Sequence, residues 1–178
     1  AQFVDLRKTL GATSQEITAI YRGAIQAGFD EKEIMSKDAA GQTLSERLLK
    51  TDKFLGLDAG GSAKMAGQMK EVSDNITADN VTDKLMEIKI AAESAGVSFN
   101  KFSNAALGIA SSLRPLGLDI SHTTEQLSHL TEKYKESGMS NQRAFEMASK
   151  NVGAMGQAFM NMDLATLGAV AKEFGTKD

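Results

Sequence analysis

Six times along the chain a glycine is followed by one apolar residue and then by Asp, Ser or Thr. The copies are Gly11-Ala12-Thr13, Gly28-Phe29-Asp30, Gly56-Leu57-Asp58, Gly96-Val97-Ser98, Gly117-Leu118-Asp119 and Gly138-Met139-Ser140. Glycine is the usual residue just past a helix end, because left-handed backbone costs it nothing there. The apolar residue covers the end of the finished helix, and the Asp, Ser or Thr caps the next one. The triplet is a joint between helices, and it carries geometry rather than chemistry. Two copies extend to Leu-Gly-Leu-Asp, at 55–58 and 116–119. Capping boxes strengthen the starts, with Thr13 matched by Glu16 and Asp30 by Glu33, and Thr43 with Glu46 marks a further start.

Between the joints the apolar residues recur at helical spacing. Val81, Leu85, Ile88, Ala92 and Ala95 form one stripe, and Phe145, Ala148, Val152, Met155, Phe159 and Met162 another. Shorter stripes run through Phe3, Leu6 and Leu10, through Ile17, Tyr21 and Ala24, and through Leu127, Leu130 and Tyr134. No stretch alternates with period two for long enough to read as a strand. Proline, nearly excluded from helix interiors, occurs once, at Pro115. These features predict an all-α fold over residues 1–178, an irregular bundle of about seven or eight short helices joined at glycine C-caps. The joints lie between 17 and 40 residues apart, too uneven for a solenoid with a fixed period. The stretch 58–80, with "DAGGSAK" and "SDNITADN" flanking a short helix, is the expected hinge between two helical halves. Opening on "AQFVDL" and closing on "GTKD", the chain reads as a piece of a longer protein.

Composition narrows the function classes. The 24% charged residues sum to a formal charge of -3 with no basic cluster, so neither nucleic acid nor an anionic membrane surface is an expected partner. There is no cysteine, hence no thiolate nucleophile and no Cys-ligated zinc. The longest uncharged runs have twelve residues, short of the roughly 20 that a spanning helix needs.

The candidates for chemistry are few. His122, Glu125 and His129 fall on one helix face at offsets 0, 3 and 7, a spacing that could share a metal. No second ligand cluster exists to close such a site, so a polar helix surface is the simpler reading. Ser73-Asp74-Asn75 and Ser98-x-x-Lys101 match fragments of the serine β-lactamase motifs, but in the wrong order and without Lys-Thr-Gly. "AGGSAK" at 59–64 is neither a Walker A loop nor a dinucleotide fingerprint, and its Ser62 reads as a helix start. Asn75-Ile76-Thr77 and Asn80-Val81-Thr82 are glycosylation sequons without a secretory context. The expectation is therefore no catalytic residue, no metal, no cofactor and no small-molecule substrate.

One stretch, "LRKTLGATSQEITAIYRGAIQAG", resembles the opening of a helix-turn-helix repressor, with its turn at Gly11. The segment that would have to read DNA, "DEKEIMSKD", is acidic overall and would be repelled by phosphate.

The strings "LGLDAGGSAKMAGQMKEVSDNI", "AGVSFNKFSNAALGIASSLRPLGLD" and "SGMSNQRAFEMASKNVGAMGQAF" resemble bacteriophage tail tape-measure proteins. Those proteins are rich in Leu-Gly-apolar-[Asp/Ser/Thr] joints followed by Ala- and Met-rich helices, and the likeness covers most of residues 10–175. It implies a helical, non-enzymatic segment of a longer chain. Such a segment would be a homo-oligomer that contacts tail tube or tail tip proteins in the virion, after assembly in the host cytoplasm. The abundance of glycine joints points to a compact region rather than the length-setting rod. The alternatives are a helix-turn-helix DNA-binding regulator and a helical component of a bacterial secretion or injection machine.

Overall fold

The structure, a computed structural model, describes residues 11–160 together with Ala169 and Lys172, the side chains of Phe159 and Met160 excepted. The stripe of Phe3, Leu6 and Leu10 and the end of the last stripe at Met162 lie outside the described residues. Among the described residues there are eight α-helices. They are α1 (Ser14–Gln26), α2 (Glu31–Met35), α3 (Leu44–Leu55), α4 (Gly61–Val72), α5 (Val81–Ala95), α6 (Phe99–Leu113), α7 (Ile120–Glu136) and α8 (Asn141–Met160). A 3-10 turn, Arg114–Leu116, follows α6 where Pro115 ends the helical run. The described residues contain no strand, only an isolated bridge between Lys37 and Thr43. The fold is all-α.

All six glycines of the repeated triplet have positive φ. At Gly28, Gly56, Gly96 and Gly138 the next residue donates its amide back to the closing turn. The bonds run from Phe29 to the Ala24 carbonyl, from Leu57 to Asp52, from Val97 to Ala92 and from Met139 to Tyr134, at 2.8–3.2 Å. This is the Schellman arrangement, which pairs carbonyls that a helix end otherwise leaves bare. The third residue of the triplet then accepts from the next helix: Thr13 from the Glu16 amide, Asp30 from Glu33, Ser98 from Lys101 and Asp119 from His122. The boxes at Thr13–Glu16, Asp30–Glu33 and Thr43–Glu46 are closed in both directions.

One joint departs from the pattern. After Gly56-Leu57-Asp58 the chain inserts a second left-handed glycine, Gly60 (φ 87°), and α4 begins only at Gly61. Asp58 is exposed and contributes its backbone carbonyl to Gly61 rather than a side-chain cap. The capping is done by Asp52, on the preceding helix.

The chain divides into two compact units, each described by itself. The first ends at Glu71 and takes in Asn75–Met86, and the second comprises Val72–Asp74 and resumes at Glu87. Helix α5 thus contributes its first residues to one unit and its last to the other.

In the first unit Ile20, Ala24, Ile34, Leu44, Leu48 and Met69 are at most 1% exposed. Phe29, the apolar residue of its joint, is buried beneath the Lys70 ammonium, which sits 4.2 Å from the ring centre and donates to the Gly28 carbonyl at 3.1 Å. Helices α1 and α4 meet through small residues. A Cβ placed on Gly23 would lie 2.9 Å from the Ala63 Cβ, and one on Gly67 would lie 3.1 Å from the Ala27 Cα. Gly60 is held equally close, 3.0 Å from the Ala19 carbonyl. The partly buried Arg47 guanidinium joins two loops, reaching Asp38 and the Asp79 carbonyl, both at 3.4 Å.

In the second unit Phe102 and Phe145 stack with centroids 5.3 Å apart. Ile88, Ala106, Ile120, Leu127 and Val152 complete the core. The stripe of α8 therefore faces inward at Phe145, Ala148 and Val152, while Met155 is half-buried. The start of α7 is pinned from outside, because the Ser73 hydroxyl accepts from the Ile120 amide at 2.8 Å.

Four glycine substitutions test this packing. Gly138→Ala meets no neighbour but keeps its φ of 99°, and it is expected to lower stability by about 1 kcal/mol. Gly23→Ala and Gly67→Ala gain helix propensity but push α1 from α4, for an expected net loss of about 1–2 kcal/mol. Gly108→Ala, on the open face of α6, is expected to gain about 0.5–1 kcal/mol. Urea unfolding followed by circular dichroism reads all four.

Candidate functional site

A concave feature of the first unit follows from the small-residue contact. Gly and Ala at 19, 23, 27, 60 and 67 bring α1 close to α4 and leave an open groove of about 490 Å³ above the seam. Its floor is backbone and methyl groups. Arg22, Gln26, Lys64, Gln68 and Glu71 stand on its rim, all exposed. Two cations, one acid and two amides around an inert floor form a mixed polar cradle. Among the described residues that line it there is no hydroxyl, imidazole or pair of carboxylates.

The glycine-rich run beside the groove is also accounted for. The amides of Gly60 and Ser62 are aimed at the Asp52 carboxylate, at 2.9 and 2.6 Å. A phosphate would need those same amides, so an internal carboxylate occupies the position of the anion. Asp52 is 2% exposed. Burial pushes its carboxyl above the ordinary range, and the Ser62 side chain with the Ser62 and Gly60 amides works in the opposite direction. The sequence reading placed Ser62 at a helix start and missed Asp52. The only signal for it was an acid near the end of a helix whose own joint contains an extra glycine.

The three residues that could have shared a metal all lie on α7. His122 is turned back onto its own helix start, with Nδ1 2.8 Å from the Asp119 carboxylate and within 3.5 Å of the Asp119 amide. It completes a capping box in which histidine stands where Glu or Gln is usual. Glu125 and His129 are exposed. Among the described residues no group of three His, Cys, Asp or Glu side chains is placed to hold a metal ion.

The short motifs dissolve in the same way. Ser98 caps α6, and Lys101 pairs with Glu146 at 3.2 Å. Glu146, fully exposed, titrates below the ordinary range because Gln142 donates to it and Lys101 both donates and attracts. Ser73 holds the Ile120 amide, Asp74 pairs with Arg114 at 2.7 Å, and Asn80 bonds Thr77 and the Asn75 carbonyl. Helix α2, which would follow the first two helices of a repressor, has five residues and carries Glu31 and Glu33. No described helix is long and apolar enough to cross a membrane.

No protein-family model, no curated protein and no solved structure matches this chain.

The role given to His122 is testable. Asp119→Ala leaves the His122 amide without its acceptor and is expected to cost about 1 kcal/mol. His122→Gln retains a capping-box side chain and is expected to stay within about 0.5 kcal/mol of the parent. A loss of 2 kcal/mol or more for His122→Gln (on the scale of a buried polar group deprived of its partner), or stoichiometric zinc removed by His129→Ala, would contradict a purely structural reading of α7.

Proposed function

We propose that this chain is a structural segment of a phage tail, tape-measure-like, that works by assembling with copies of itself and with tail tube or tail tip proteins. The observation that carries the reading is the repeated glycine joint, six copies in one short chain, each with a left-handed glycine. Joined to Ala- and Met-rich helices, it is the feature shared with tape-measure proteins. A chain of this kind acts through surfaces. Its residence is the virion, reached through the host cytoplasm.

Support for surface contact comes from large apolar side chains with much of their surface exposed. Phe54 is 58% exposed on α3, Ile90 63% on α5 and Ile25 43% on α1. Each is a single residue, and an exposed leucine-sized side chain is ordinary on a monomer. Two large side chains more than half exposed are nevertheless the places where a partner would find apolar area.

The test combines location with association. Mass spectrometry of purified virions is expected to find the parent protein in the tail. Light scattering on the isolated chain is expected to give an oligomer of defined stoichiometry. Phe54→Asp and Ile90→Asp should weaken that oligomer with the helical circular dichroism signal intact. Val152→Asp places a charge in a site 2% exposed and should unfold the second unit instead. A monomer that binds a specific DNA sequence, encoded away from any tail gene cluster, would overturn the proposal in favour of a regulator.

A further inference from the structure

Among the described residues two large apolar side chains are more than half exposed, and they stand in surroundings of opposite charge. Phe54, 58% exposed, lies near the end of α3, with Lys50 one turn before it and Lys53 next to Lys50 on the helix surface, both exposed. The acid of that same turn, Asp52, is buried on the Gly60 and Ser62 amides, and Asp58 lies beyond the Gly56 turn. Ile90, 63% exposed, lies on α5 with Glu87 one turn before it and Glu93 one turn after it, both exposed. Residues three and four apart on a helix are surface neighbours, so each apolar side chain and its charges form one strip. The first strip is basic around an aromatic ring, and the second is acidic around a branched aliphatic side chain.

The acids keep their outward reach despite local partners. Glu93 pairs with Lys89 at 3.5 Å, and its side chain is still 67% exposed. Glu87 accepts the Ser121 hydroxyl at 2.8 Å and is exposed as well. A surface that joins an apolar anchor to a surplus of one charge fits a partner with its own anchor and the opposite surplus. This chain carries both halves. The basic strip belongs to the first unit and the acidic strip to the second.

We propose that the basic strip of Lys50, Lys53 and Phe54 on one copy of the chain docks on the acidic strip of Glu87, Ile90 and Glu93 on the next copy. Such a contact rests on the tail reading and gives its self-assembly a pair of surfaces. Because the two surfaces differ, the contact is heterologous, and a pair of docked copies leaves one strip of each kind open. Copies therefore add head to tail. They close into a ring of defined size where the rotation permits and continue as a filament where it does not. Phe54 and Ile90 supply the apolar centre, while the surrounding lysines and glutamates set the register and speed the encounter.

The experiment is sedimentation velocity on the full chain and on Phe54→Asp and Ile90→Asp, each alone and the two variants mixed in equal amounts. The parent is expected to associate beyond the dimer as its concentration rises, and less so in high salt, where exposed charges are screened. Each variant keeps one working strip and is expected to be monomeric alone. Their mixture is expected to give a one-to-one dimer and nothing larger, because the acidic strip of Phe54→Asp meets the basic strip of Ile90→Asp. A second pair repeats the test through charge: a chain carrying Lys50→Glu and Lys53→Glu, and one carrying Glu87→Lys and Glu93→Lys. Each alone should associate at least about tenfold more weakly than the parent, and mixing them should restore association, since every contact between the two is then of opposite sign. A monomeric parent, a mixture of the aspartate variants that stays monomeric, or one of those variants dimerising alone would overturn the head-to-tail contact. A chain found in tails but monomeric in this test contradicts the contact and leaves the tail reading standing. Head-to-tail association of a chain absent from virions supports the contact and removes the tail reading.

Discussion

The bond on which this molecule depends runs from the amide just after a left-handed glycine to a carbonyl one turn back inside the helix. Four such bonds, at Phe29, Leu57, Val97 and Met139, close four helices. Each pairs a carbonyl that would otherwise face solvent or core unsatisfied, and each reverses the chain. After Phe29 and Val97 the bond also delivers the next residue, Asp30 or Ser98, in extended backbone ready to cap. Helices as short as the 12-residue α3 are marginal alone in water, so fixed ends and packed apolar stripes support one another. Gly96 makes the constraint visible: a Cβ there would meet the Asn141 side chain, which is exposed and can turn aside, so it is the φ of 71° that demands glycine.

Packing then follows two different rules. The second unit uses large side chains, with Phe102 stacked on Phe145 and branched residues filling around them. Between α1 and α4 the first unit uses the absence of side chains at Gly23, Gly60 and Gly67. Such close approach buries little apolar area per residue, but it brings the Gly60 amide within reach of Asp52. The groove above the seam and the buried acid below it thus have one cause. An extra glycine in one joint moved the start of α4 by two residues and left its capping to another helix.

The fold class was legible because the joint is local: glycine, cap and capping box all lie within a few residues of one another. The same locality explains what was missed. Thr124, Thr131 and Thr51 occupy buried positions where a period count expects apolar side chains, since each hydroxyl bonds the carbonyl four residues earlier. Asp52 is buried because its partners sit eight and ten residues away, across a turn whose path the sequence pattern did not fix. His122 was singled out as a possible ligand because histidine is rare here, while its actual partner is the cap residue three positions before it. The α8 stripe was readable as a stripe, but only the burial of Phe145, Ala148 and Val152 assigns it to the core.

A tail segment that works by contact would place its specificity in how rigid helices are angled, and that angle is set at the joints. The most direct measurement of this claim replaces Gly138 by L-alanine and by D-alanine through semisynthesis and compares the two unfolding free energies. The site has φ 99° and open space around it, so handedness is the main difference between the two chains. If the left-handed joint holds the fold, the D-alanine chain is at least as stable as the parent and exceeds the L-alanine chain by about 1–2 kcal/mol. Equal stabilities for the two would mean that the joint is incidental and that the cores alone set the structure.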